Sequence, residues 1–434
     1  MGTTNWIRPL LGAIGPHAVY RRVPLADERN ALGPWRRAVE QLAKPQDERD
    51  VWGELIYGSG EEEEGAALGT AQIAPARALL QRNAETLQWL DEGVERGSLQ
   101  FPVFHDLEQV AADSQFACKL GEVARLPYIH SKLLAADGDL AAAAAATLRV
   151  LRIGQMICRG DGQMLHYLIG LWIRSAALRG MGRLAARDDL PRPALQSFLQ
   201  ALQEGLHARD GLAQSLRVDF CTLSLPRLAQ TVDDQDLEAV VQQVLAVYYA
   251  PRQPPVVPDP ARAAALGGEW LDWQRRQILS ILEGHPNPFD KLATARLMGG
   301  MLAQTLGEIR HVERTGGLHL VDKLHRLRRH YRRRWLRRKT RFWPAPLAPG
   351  FPYEWGSGSN LELAPGELAA SISIARQLLT ESTLATAREK LRRVANPIGL
   401  VLAEHLLAFD YSSFMFQHRA MANQIRRLLA NRLA

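Results

Sequence analysis

A chain of 434 residues is too long for one compact core and calls for two domains or a continuous helical array. Only 7% of it is aromatic and β-branched alternation is scarce beside abundant Ala, Leu and Arg, which excludes a sheet-rich fold. The net charge of +7 is local: residues 323–343, "KLHRLRRHYRRRWLRRKTRFW", hold eleven Lys and Arg and no acid, so the remaining chain carries −4, which excludes a protein that coats nucleic acid along its whole length.

Residues 1–26 read as an N-terminal arm. They lack a basic leading region, and Arg8, Pro9 and Pro16 interrupt their apolar stretch, so a signal peptide is not expected and a cytoplasmic location is. Helices then announce themselves by their starts: "GPWRRAVEQLAK" places Pro34 in a first turn, and "IAPARALLQRNAETLQWLDEGVERG" is expected to start at Pro75 and to end on Gly97. Between these two lies "YGSGEEEEGAALGT", whose four successive glutamates repel one another and predict a solvated loop.

From Phe104 helix follows helix. "EVARLPYIHSKLLAADGDLAAAAAATLRVLRIGQMI" predicts two helices joined at "DGD", with Gly138 taking the left-handed conformation and Asp139 capping the second helix. Further hairpins are expected at 162–186, 191–208, 210–230 and 233–250. The most apolar window, 164–182, holds His166, Arg174 and Arg179, and reads as a buried helix rather than one of the roughly 20 uncharged residues that span a bilayer. Cys118, Cys158 and Cys221 lie in separate apolar segments with no Cys-x-x-Cys pair, and are expected as reduced core residues.

The proline-rich stretch 251–260 cannot be helix interior and marks the boundary between a helical-hairpin domain, 27–250, and a C-terminal helical domain, 261–434. After it come two long helices, the basic helix 318–343, a loop, and closing helices that include Asn396-Pro397 as a cap followed by a first-turn proline.

The Gly138-Asp139 turn and Ala143, a small side chain where paired helices approach, resemble a tetratricopeptide unit, and the resemblance implies that helix-pair geometry alone. "NALGPWRRA" near the start and the late Asn-Pro-aliphatic-Gly helix resemble a group of uncharacterised bacterial all-helical proteins, which implies an all-helical chain and no particular activity. The fold expected is all-α: stacked antiparallel helical hairpins, α-solenoid or tetratricopeptide-like, with a second helical domain.

Chemistry-bearing patterns are few. His325 and His330 stand roughly 140° apart on a helix, no His-Glu-x-x-His occurs, and no metal or other cofactor is expected. No Gly-x-Ser-x-Gly or phosphate loop appears, and Gly299 and Gly300 read as a place where helices pack closely. Glu269 and Asp272, one turn apart beside Trp270 and Trp273, have the residue types of an acid and base pair, although a helix first turn with its acids on the dipole explains them more simply.

The basic segment is the most specific signal. At 100° per residue Leu320, Leu324, Leu327, Tyr331, Trp335 and Phe342 fall within roughly 80° of arc, with the basic side chains largely elsewhere. Arg326, Arg329, Arg332, Arg333, Arg334, Trp335, Arg337, Arg338, Lys339 and Arg341 are therefore the candidate contacts to an acidic surface, whether a protein partner, an anionic membrane or, less favoured, nucleic acid. The competing explanation is an ordinary surface helix whose charge is matched by Asp47, Glu48, Asp50, Glu54 and Glu61 to Glu64.

Together these features predict a non-enzymatic scaffold for protein–protein interaction. The alternatives are a helical enzyme whose site is assembled from distant residues, with Glu269, Asp272 or His166 as members, and a nucleic-acid-binding protein.

Overall fold

The computed structural model describes residues 14, 20, 22–43, 67–104, 107–207, 211–230, 236–242, 260–315, 373, 376–400, 403 and 412–433. The described residues are mostly α-helical and include no strand, only an isolated parallel bridge between Asn30 and Ser98. The all-α reading therefore holds. The chain divides into a larger compact unit of residues 19–223, 306–322 and 410–434 and a smaller one of 1–18, 224–305 and 323–409.

The larger unit contains α1 (Leu32–Glu40), α2 (Thr70–Arg82), α3 (Ala84–Arg96), α4 (Leu107–Val123), α5 (Arg125–Ala136), α6 (Leu140–Arg159), α7 (Met164–Ala185), α8 (Arg192–His207) and α9 (Leu212–Asp219). The hairpin foreseen at "DGD" is α5–α6: Gly138 has φ +86°, and the Asp139 carboxylate accepts the Ala142 N–H at 3.0 Å. Helix α6 is the one described helix long and apolar enough to cross a membrane, but it lies in this core, with Ala143, Val150, Ile153 and Ile157 all buried.

Helices α6 and α7 meet backbone to backbone. A Cβ on Gly154 would stand 2.8 Å from the Gly170 carbonyl oxygen, and one on Gly170 2.9 Å from the Gly154 carbonyl oxygen, so two glycines set the interaxial distance. The core around them includes Trp35, Phe101, Tyr128, Phe198 and Met181. Trp35 is fully buried and donates its ring N–H to the Leu90 carbonyl. The last long helix, α14 (Ser412–Leu433), joins this core through Ala422, Ile425 and Leu429, while the Arg432 guanidinium donates to the carbonyls of Ala185 and Arg187 at the end of α7.

Several local expectations need correction. Segment 162–186 is dominated by one helix, not a hairpin, because Gly170 and Gly180 serve packing inside α7 rather than turns, and the segment expected as a hairpin over 191–208 is occupied by the single helix α8. Helix α2 begins at Thr70, where the Gln72 side chain accepts the Gly69 N–H, so Pro75 stands in its interior. The helix expected from Pro75 to Gly97 is interrupted at Asn83, whose buried amide accepts from Ala43 N–H and donates to the Ala43 carbonyl. Cys158 and Cys221 are buried as expected, but Cys118 is exposed on α4.

The smaller unit contains α10 (Leu225–Gln230), α11 (Pro260–Leu282), α12 (Lys291–Thr315, as far as Thr305) and α13 (Glu381–Leu391). Asn396, foreseen as a cap, accepts the Gly399 N–H as one does, and does more. Its side chain also accepts from Asp290 N–H and donates to the Asp290 carbonyl and the Thr294 hydroxyl, at 2.9 to 3.1 Å. Gly299 meets Ile14 closely, as a packing glycine should, whereas Gly300 faces open space.

Candidate functional site

The basic segment 318–343, with Arg326, Arg329, Arg332, Arg333, Arg334, Trp335, Arg337, Arg338, Lys339 and Arg341, lies outside the described residues, as do the acids of 47–64. Glu269 and Asp272 do not form a sequestered acid and base. Both are exposed on α11, and Asp272 lies 3.5 Å from Arg275, one turn along the same helix.

His166 is the predicted member that acquires chemical surroundings. It sits in the first turn of α7 and is 1% exposed, and its Nε2 lies 3.5 Å from Oδ2 of Asp113 on α4, itself 3% exposed. The ring of Phe101 covers the imidazole with centroids 3.9 Å apart. Gly162 leaves room for both: a Cβ there would stand 2.6 Å from the Phe101 ring and 2.8 Å from the imidazole.

A short irregular cover holds Phe101 in place. Its N–H donates to the Gly160 carbonyl at 2.8 Å, and its carbonyl accepts from Arg22. One residue earlier, Gln100 takes the Leu25 N–H on its side-chain oxygen, donates to the Val23 carbonyl, and exchanges main-chain hydrogen bonds with the Asn30 side chain. The Asn30 motif of the early sequence thus belongs to this cover rather than simply to a helix start, and Asp161 of the adjoining turn takes φ +52°.

Among the described residues neither imidazole nitrogen, nor Asp113 Oδ2, nor the side-chain oxygen of Gln163 has a hydrogen-bond partner. Burial pushes the Asp113 carboxyl up to about 6, with Arg36 pulling it back down, and burial pushes the His166 imidazole down to about 3. Both shifts disfavour charge. The 3.5 Å contact is therefore one between two groups that burial keeps uncharged in mild acid, not a permanent ion pair.

The sequence contained half of this site. His166 stood out as a polar group in the most apolar window, but Asp113, in "LEQVAADSQFACKLG", looks like any helical acid until α4 is turned to place it inward. The signal that could have found it is its register: Val110, Ala117 and Leu120 are buried on the face that carries Asp113.

Comparison with family models, with curated proteins and with solved structures found no match. The functional reading therefore rests on the residues themselves.

Proposed function

We propose that the protein is a helical scaffold for another protein, with residues 318–343 as its contact to an acidic surface. The observation that carries this is charge placement: eleven cations and no acid within 323–343, against −4 for the remaining chain. Several described cations are neutralised close by, as in Arg77–Asp137, Arg96–Glu92, Arg149–Asp91 and Arg187–Asp189. Residues 323–343 hold no carboxylate that could pair three or four residues away, so their neutralisation must come from elsewhere.

In this reading stacked hairpins of α-solenoid or tetratricopeptide-like type, of which α5–α6 is the pattern, offer helix faces to the partner in the cytoplasm. The helical apolar stripe and Trp335 of the basic segment also suit an anionic membrane surface, where each basic residue contributes ~1 kcal/mol.

The test is co-sedimentation with anionic and neutral liposomes, beside a labelled RNA and a DNA duplex, at low and physiological salt. Substituting Arg332, Arg333, Arg334, Arg337 and Arg338 by Gln is expected to abolish capture of the acidic surface while circular dichroism stays unchanged. Capture that survives all five substitutions removes the segment from the function. Binding to the duplex with a log–log salt slope of several units turns the reading to nucleic acid.

A further inference from the structure

Helix α14 lies on α7 and α8 and is covered along one narrow stripe. Of residues 421–433, Ala422, Ile425 and Leu429 are buried, at successive spacings of three and four, while Gln424, Arg426, Arg427 and Asn431 are exposed. That is the pattern of an amphipathic helix laid in a groove formed by other helices. Helices α6 and α7, by contrast, bury twelve and thirteen residues and run through the core.

We propose that the α7–α8 groove is a helix-docking site that accepts α14 from a second copy of this chain in place of its own, so that two copies join by exchanging α14. The proposal goes beyond the scaffold reading and does not depend on residues 318–343.

The groove is matched to this helix in particular. On α7 the wall is the main chain of Gly182, where even an added Cβ would stand 3.7 Å from the Ile425 side chain. One end is fixed by reciprocal bonds to main-chain carbonyls. Arg432 donates to those of Ala185 and Asp188, where α7 ends, and Arg192 at the start of α8 donates to that of Leu433. All these contacts run between α14 and the α7–α8 region. The α14 of a second copy therefore reproduces every one of them, and the exchange requires no new interface.

The course of the chain makes α14 separable. The larger unit takes residues 19–223 and 306–322, and the chain rejoins it at 410, after 323–409 have gone to the smaller unit. No short connection ties α14 to α7 or α8, whose backbone ladders are their own and close without it. What the groove lacks before α14 arrives is an apolar partner for the positions that meet Ala422, Ile425 and Leu429. Water does not satisfy such a surface, whereas an identical helix does.

Cysteine pairing tests this in the full chain, with Cys118→Ser removing the exposed native thiol. Two differently tagged chains, one carrying Gly182→Cys and the other Ile425→Cys, are produced together in one cell, purified through both tags and oxidised in air. A covalent dimer linked between positions 182 and 425 is expected, roughly tenfold more abundant than from Gly182→Cys paired with Arg426→Cys, whose position faces away from the groove. Equal yields from the two pairings overturn the proposal. So does the absence of a 182–425 link where one chain carrying both cysteines closes its own.

Should these chains fail to fold, or the doubly substituted chain fail to close, sedimentation of the native chain decides. A dimer that grows with concentration, and that an excess of a synthetic peptide of residues 412–433 converts to monomer, is expected. A chain that stays monomeric throughout, or a dimer indifferent to the peptide, overturns the exchange.

Discussion

At Asn396 in the smaller unit every polar atom of the buried side chain has a partner, whereas at Asp113 and His166 in the larger unit the buried groups have little beyond each other. Both places tie segments distant in sequence: Asn396 reaches 106 residues back to Asp290, and the cover above His166 joins Asn30 to Gln100 across 70. The amide has no proton to gain or lose, so its knot is insensitive to pH. The acid and imidazole are groups that titrate, so their burial carries a dependence on pH that the amide lacks. Saturated hydrogen bonding gives a tie indifferent to pH; a buried ionisable contact gives one that changes with protonation.

Breaking the saturated knot should cost most. Asn396→Ala strands the Asp290 and Gly399 amides and leaves alanine at φ +57°, for an expected loss of about 3–5 kcal/mol. Hydrogen exchange of residues 287–294 reads it, with the same increase at pH 5 and pH 8; a loss that varies with pH removes the contrast between the two places.

A smaller effect is expected from Gly162→Ala, whose methyl drives Phe101 and the imidazole apart at a cost of roughly 2 kcal/mol. Exchange of the His166 ring C2–H, followed by mass spectrometry, should accelerate, and an unchanged rate means that Phe101 does not seal the ring. Least costly is Asp139→Ala, which removes an exposed cap and about 1 kcal/mol by urea denaturation. A loss as large as that of Asn396 would show that neither hydrogen-bond count nor burial sets these costs.

The all-α class was legible because apolar spacing and caps act over a few residues: Gly138, Asp139, Gly97 and the Asn396 cap all stand where their local chemistry places them. What was not legible depends on distant partners. Nothing near Asn83 in sequence indicates that Ala43 will occupy its amide and divide α2 from α3. Nor does "GLW" or "GQM" disclose that Gly170 and Gly154 meet across α6 and α7, since a glycine within a helix reads equally as a turn. Asp113 was hidden for the same reason: its meaning lies in α7, 53 residues away.

The bond from Arg432 to Ala185 spans 247 residues. At about 5–20 residues per second on a ribosome, α14 emerges roughly 10–50 s after the helix end it covers. Throughout that interval the core positions of α7 and α8 that meet Ala422, Ile425 and Leu429 lack their final neighbour. A nascent chain of this protein is thus a candidate for protection by a holdase during synthesis, and slowing translation after α8 should lengthen its exposure to proteolysis.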